Sequence, residues 1–133
     1  MKKILMCLCF LISIYAKGQA NIGETEYGIR QYFSDKKWST GYTDEGVKYI
    51  SSDMTYGNFS YYFDKESGLS YLNIQIPFSI LTTNGQVEAY NKKYVITSAT
   101  SWTAYLEDGG MIYIRLLYSE KNKLRYFTYS NKK

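Results

Sequence analysis

Tyr56 to Ile76 reads YGNFSYYFDKESGLSYLNIQI. Two alternating runs flank a polar segment. Alternation sets Phe59, Tyr61 and Phe63 on one face of a strand, with Asn58, Ser60 and Tyr62 on the other. In the second run Leu72, Ile74 and Ile76 share a face, opposite Tyr71, Asn73 and Gln75. Lys65-Glu66-Ser67-Gly68 between them has turn chemistry, since Asp64 suits a cap and Gly68 accepts a positive φ. A loop closed by Asp64 and Leu69 pairs Tyr61 with Leu72 and Phe59 with Ile74. That register predicts an antiparallel hairpin whose aromatic and aliphatic rows both face a core, leaving Tyr62 and Tyr71 outside. Pro77 ends its second strand.

The rest of the chain supplies elements to pack against this hairpin. On the N-terminal side, Asn21 with Glu24 three residues later gives a helix start, and Ile22, Ile29, Tyr32 and Phe33 recur at helical spacing to about Ser34. Turn residues Gly41, Thr43, Asp44 and Gly46 then surround a short strand near Val47 to Ile50. After Pro77, Thr82 or Thr83 caps a helix bearing Val87, Tyr90 and Tyr94. Ser98 caps a shorter one bearing Trp102, Tyr105 and Leu106, stopped by Gly109-Gly110. Met111 to Tyr118 and Leu124 to Tyr129 form a second hairpin around Glu120-Lys121-Asn122-Lys123. Its parity sends Ile112, Ile114, Leu116, Phe127 and Tyr129 inward, and Tyr113, Arg115, Leu117 and Tyr126 outward. No internal repeat or low-complexity tract is visible. The expected fold class is α+β: an antiparallel sheet of about four to five strands with two to three helices on one face.

The N-terminus bounds destination and charge. Lys2 and Lys3 precede the apolar run Ile4 to Tyr15, followed by small residues, which is the pattern of a cleaved secretory signal. Residues 1–18 are the expected signal peptide, with an alternative cut after Ala20, and 19–133 the expected single domain. The run is shorter than the roughly 20 apolar residues a membrane span needs, so no stable span is expected after cleavage. A periplasmic or secreted protein is expected. Cys7 and Cys9 leave with the signal, so no disulfide joins the remainder. Lys2, Lys3 and Lys17 leave too, and 13 basic residues then face 12 acidic ones. So even a balance gives no electrostatic case for nucleic acid.

Gly23-Glu24-Thr25, with Ile29 four residues after Thr25, resembles the G-x-T-x-x-x-V start of small outer-membrane-assembly lipoproteins of the BamE/SmpA type. Tyr62-Phe63-Asp64 through Gly68-Leu69 resembles their hairpin. The resemblance covers residues 22–76 and implies a short helix leading into a β-meander. The chain lacks the lipid-bearing cysteine and the glycine and proline that follow the first helix in that family, so a scaffolding role is not carried over. As a whole the chain resembles small exported proteins of Gram-negative bacteria.

With no histidine in the chain, and both cysteines in the expected signal, nucleophilic triads, thiolate redox chemistry and ordinary zinc sites drop out. No cofactor is implied. Carboxylate chemistry survives, with Asp44-Glu45, Asp64 and Glu66, and Glu107-Asp108 as pairs, but all fall in expected turns or at a helix end, and no catalytic residue is assigned. The outward set Tyr113, Arg115, Leu117 and Tyr126 is the candidate binding surface, because Tyr and Arg are enriched at binding hot spots. The expected function is a non-enzymatic interaction module whose partner is another envelope or secreted protein. The second reading is a small-ligand or glycan binder using exposed tyrosines and Trp38. The third is a hydrolase working with carboxylates alone.

Overall fold

The structure is a computed structural model and describes residues 21–132; the expected signal peptide lies outside the described residues. Among these, the chain forms α1 (Glu26–Tyr32), β1 (Ser39–Tyr42), β2 (Lys48–Asp53), β3 (Gly57–Phe63), β4 (Ser70–Pro77), α2 (Ile80–Lys93), β5 (Val95–Ser98), β6 (Ser101–Tyr105), β7 (Met111–Ser119) and β8 (Leu124–Ser130). All eight strands join one antiparallel sheet in the order β1-β2-β3-β4-β8-β7-β6-β5. The expectation of four to five strands is corrected to eight, and that of two to three helices to two among the described residues.

Three local differences separate the observed elements from the expected ones. The segment expected to be a helix capped by Ser98 is strand β6, which pairs back on β5. Across the two strands, Val95, Ile96, Thr97, Trp102 and Thr103 are β-branched and aromatic residues that fit a pleated surface better than a helix. The first helix starts later than expected: Thr25, not Asn21, is the cap, and its Oγ1 accepts from the Gly28 N–H at 3.0 Å. The long helix starts earlier, at Ser79, whose Oγ accepts from the Thr82 N–H at 3.1 Å.

The order of elements contains a repeat that the letters hide. Each half is a helix followed by a four-stranded meander, and the halves meet where β4 pairs with β8. The last turns of the two halves match. Asp64 Oδ1 accepts from the Glu66 and Ser67 N–H groups, and Ser119 Oγ accepts from the Asn122 N–H. Gly68 at φ 72° and Lys123 at φ 53° occupy the same left-handed position, and each is followed by a leucine.

Both helices cover the same face of the sheet, and the core there has two parts. Ile29 of α1 packs with Ile50, Tyr61 and Phe63. Tyr90 of α2 packs with Trp102, Ala104, Ile112, Ile114, Phe127 and Tyr129. Each large side chain so buried contributes about 1.5–3 kcal/mol. Between the parts runs a polar seam along β4. Ser70 Oγ donates to the Asn21 carbonyl at 2.5 Å, Gln75 Nε2 donates to Asn73 Oδ1 at 3.0 Å, and the Tyr129 hydroxyl donates to Gln75 Oε1 at 3.0 Å. Tyr129 also meets the Tyr90 hydroxyl. Buried polar groups need such partners, and these satisfy one another.

Burial drives the Tyr129 phenol well above its ordinary value, with Tyr90 adding to the effect. Burial does the same to Tyr61, opposed by Asn21 beside it. Both folded values exceed the unfolded value, so the associated stability is complete below about pH 10 and falls as pH rises beyond it. Each phenol should remove about 1.4 kcal/mol per pH unit above that point. Urea titrations between pH 9 and 12 should show the decline, and Tyr129→Phe should make it shallower, leaving the Tyr61 contribution. A pH-independent midpoint over that range would contradict the burial of both hydroxyls.

Candidate functional site

The face opposite the helices has no element over it among the described residues, and the strand registers fix which side chains it carries. The hairpin of Tyr56 to Ile76 differs from expectation here. Asp64 and Leu69 do close the turn, with the Asp64 N–H donating to the Leu69 carbonyl at 2.9 Å. Phe63 then pairs with Ser70, but Tyr62 pairs with Leu72, so Tyr71 is an extra residue on β4. This is a β-bulge, and it slips every later pair by one. Tyr61 faces Asn73 and Phe59 faces Gln75, in place of the expected Leu72 and Ile74. Because side chains alternate, the slip sends Asn73 and Gln75 into the core and turns Leu72, Ile74 and Ile76 onto the open face.

The four residues assigned from the second hairpin lie on that same face. Leu117 pairs directly with Tyr126, Arg115 with Thr128 and with Ser101, and Tyr113 with Thr103 and Ser130. Ile112, Ile114, Phe127 and Tyr129 are buried on the other side, as expected. Arg115 is exposed, flanked by small hydroxyl side chains, and forms no ion pair among the described residues. The stacking of an arginine on a tyrosine occurs elsewhere: the Arg125 guanidinium lies 5.7 Å from the Tyr118 ring centre.

Two further groups lie on the face. Tyr49 and Tyr62 pair across β2 and β3 with ring centres 5.2 Å apart. The Tyr49 ring occupies the space above Gly41, where an added Cβ would sit 2.4 Å from it, so any larger residue there displaces the ring. Burial, then the neighbouring Tyr49 and Tyr71, push the Tyr62 phenol above its ordinary value. Beside them runs a polar line: Ser60 Oγ donates to Ser51 Oγ at 3.0 Å, Ser51 Oγ to Asn58 Oδ1 at 3.1 Å, and Asn58 Nδ2 to Asp53 Oδ1 at 3.1 Å. The face therefore has an aliphatic centre on β4, a hydroxyl-rich flank on β2 and β3, and an aromatic flank with a bare cation on β7.

The other candidate residues lie off this face. Trp38 packs against Phe33 and Tyr61 at ring-centre distances of 6.0 and 5.9 Å, in the core under α1. Its Nε1 is buried without a hydrogen-bond partner among the described residues. The three carboxylate pairs fall in turns at one end of the sheet, and no group of three acids suited to a metal occurs among the described residues. The Ser67 and Glu66 N–H groups hold the Asp64 carboxyl below its ordinary range, which occupies it as a turn cap. No described helix is long and apolar enough to cross a membrane. No protein family, curated protein or solved structure matches this chain.

Proposed function

We propose that this chain is an exported, non-enzymatic interaction module of the cell envelope or extracellular space, and that it holds a partner protein on the open face of its sheet. One observation carries the reading: β4, at the sheet centre, turns Leu72, Ile74 and Ile76 away from the core and onto a face with no covering element among the described residues. Apolar rows of this kind on a solvent face mark interaction surfaces. Tyr62, Tyr113 and Tyr126 flank the row, and tyrosine contributes rigid contact area at such surfaces. Arg115, exposed and unpaired by any acid among the described residues, calls for a carboxylate on the partner opposite an apolar strip. The glycan reading loses Trp38, which is part of the core, and the hydrolase reading loses Asp64 to its turn.

Arg115→Glu tests this. Reversing an unpaired interface charge against an acidic partner costs several kcal/mol of binding, so partner capture from an envelope extract should fall by roughly 100-fold or more. The melting temperature should move little, since exposed substitutions stay within about ±0.5 kcal/mol. Undiminished capture by a folded Arg115→Glu protein would remove β7 from the interface.

A further inference from the structure

Strand direction sorts the connecting segments to two ends of the sheet. The β1–β2, β3–β4 and β6–β7 turns share one end and carry Asp44, Glu45, Asp64, Glu66, Glu107 and Asp108, with Lys48, Lys65, Lys92, Lys93 and Lys132 at the same end. The β2–β3 turn, the β4–α2 junction, the β5–β6 turn and the β7–β8 turn share the other. Here four large apolar side chains stand in solvent: Tyr56 at 65% exposure, Phe78 at 60%, Ile80 at 63% and Leu81 at 83%. They form one site, because the Phe78 N–H donates to the Tyr56 carbonyl at 3.0 Å and Ile80 and Leu81 follow directly after the cap Ser79. Phe78 precedes the cap, where an apolar side chain ordinarily packs back on the fourth helical residue; that residue is Thr83, and Phe78 stays outside. No charged residue occurs from Gly68 to Val87.

The charge beside this wedge is basic. β8 runs antiparallel to β4, so its first residues lie at the end where β4 finishes. The β7–β8 turn and the start of β8 carry Lys121, Lys123 and Arg125 against Glu120, and none of these cations is in an ion pair among the described residues. The segment entering β1 adds Lys36 and Lys37 against Asp35, with Lys36 at 3.8 Å from the Asp35 carboxylate. Asp53, at the end of β2, is held by Asn58. We propose that this end of the sheet docks on an anionic lipid surface, with Tyr56, Phe78, Ile80 and Leu81 entering the interface and Lys121, Lys123 and Arg125 meeting the headgroups. Apolar side chains that project singly from a turn and a helix start suit a fluid phase, whereas a protein partner needs a shaped socket for each. The basic rim adds attraction to anionic headgroups. This surface is separate from the open sheet face, and the two readings stand or fall apart.

The protein as purified from its host cells is mixed with vesicles of phosphatidylcholine alone, or of phosphatidylcholine with phosphatidylglycerol, and floated. Flotation should require phosphatidylglycerol and weaken as salt rises. Leu81→Asp should reduce it by about tenfold or more while keeping the fold, because an acid in the first helical turn favours the helix. Leu81→Trp should shift its emission to the blue and be quenched by brominated lipid. Tyr105→Trp, at the opposite end, should do neither, which separates docking by this end from tethering by residues before Asn21. Arg115→Glu should float like the unmodified protein. The proposal is overturned by absent flotation, by flotation that Leu81→Asp leaves intact, by equal quenching at Leu81→Trp and Tyr105→Trp, or by loss through Arg115→Glu.

Discussion

Trp102→Ala is expected to cost about 3–5 kcal/mol, the range for emptying a large aromatic site in a core. Trp102 is 1% exposed on β6, meets Tyr90 of α2 at a ring-centre distance of 5.7 Å, and donates from Nε1 to Asn91 Oδ1 at 2.8 Å. It is the side chain that fastens β6 to the long helix. Tyr105→Ala, at a residue 66% exposed, should stay within about 0.5 kcal/mol. The pair discriminates two structures for one segment. On a helix, residues three apart share a face, and both substitutions would be costly; on a strand they point to opposite faces, and only one is. Urea midpoints of the two variants decide it, and equal losses would return the segment to a helix.

The spacing of Trp102, Tyr105 and Leu106 was legible as a helix because three apolar residues met the helical period. Composition argued otherwise, with Thr97, Thr100 and Thr103 interleaved, and composition won because β7 offers β6 a five-residue ladder. The Met111–Tyr129 hairpin was legible because its loop is closed without an insertion, so alternation alone assigns the faces. The internal repeat was not legible. Its two turns use Asp64 and Ser119 as caps and Gly68 and Lys123 at positive φ, which are equivalent in backbone geometry and different in letters. Within the candidate face, parity groups Tyr113, Arg115, Leu117 and Tyr126, whereas the unslipped register puts Leu72, Ile74 and Ile76 in the core. Nothing in the letters around Tyr71 signals a bulge, and one extra residue reverses every assignment after it.

Phe63→Ala is the second large effect, again about 3–5 kcal/mol, since Phe63 is 5% exposed against Ile29, Ile50 and Tyr61. Phe63 precedes the slip and faces inward in either register, so its loss calibrates the residues beyond it. Asn73 is fully buried and donates from Nδ2 to the Ser60 carbonyl at 3.0 Å while accepting from Gln75. Asn73→Ala should therefore cost about 1–3 kcal/mol through the polar groups it strands. An unslipped register would put that side chain in solvent and make the change nearly silent.

A sheet-face interface requires the row Leu72, Ile74 and Ile76 to stand on a free surface. The thermal melt of Ile74→Lys tests that most directly, with Ile114→Lys as its inward counterpart. On an open face the lysine stem lies along the sheet and its ammonium reaches water, so Ile74→Lys should cost about 1 kcal/mol or less. Ile114 is 2% exposed, and an unpaired charge there should leave no folded protein at room temperature. A cooperative melt for Ile74→Lys within a few degrees of the unmodified protein is the predicted result. If Ile74→Lys unfolds the chain as Ile114→Lys does, the aliphatic row belongs to a core, and the sheet has no such face to offer.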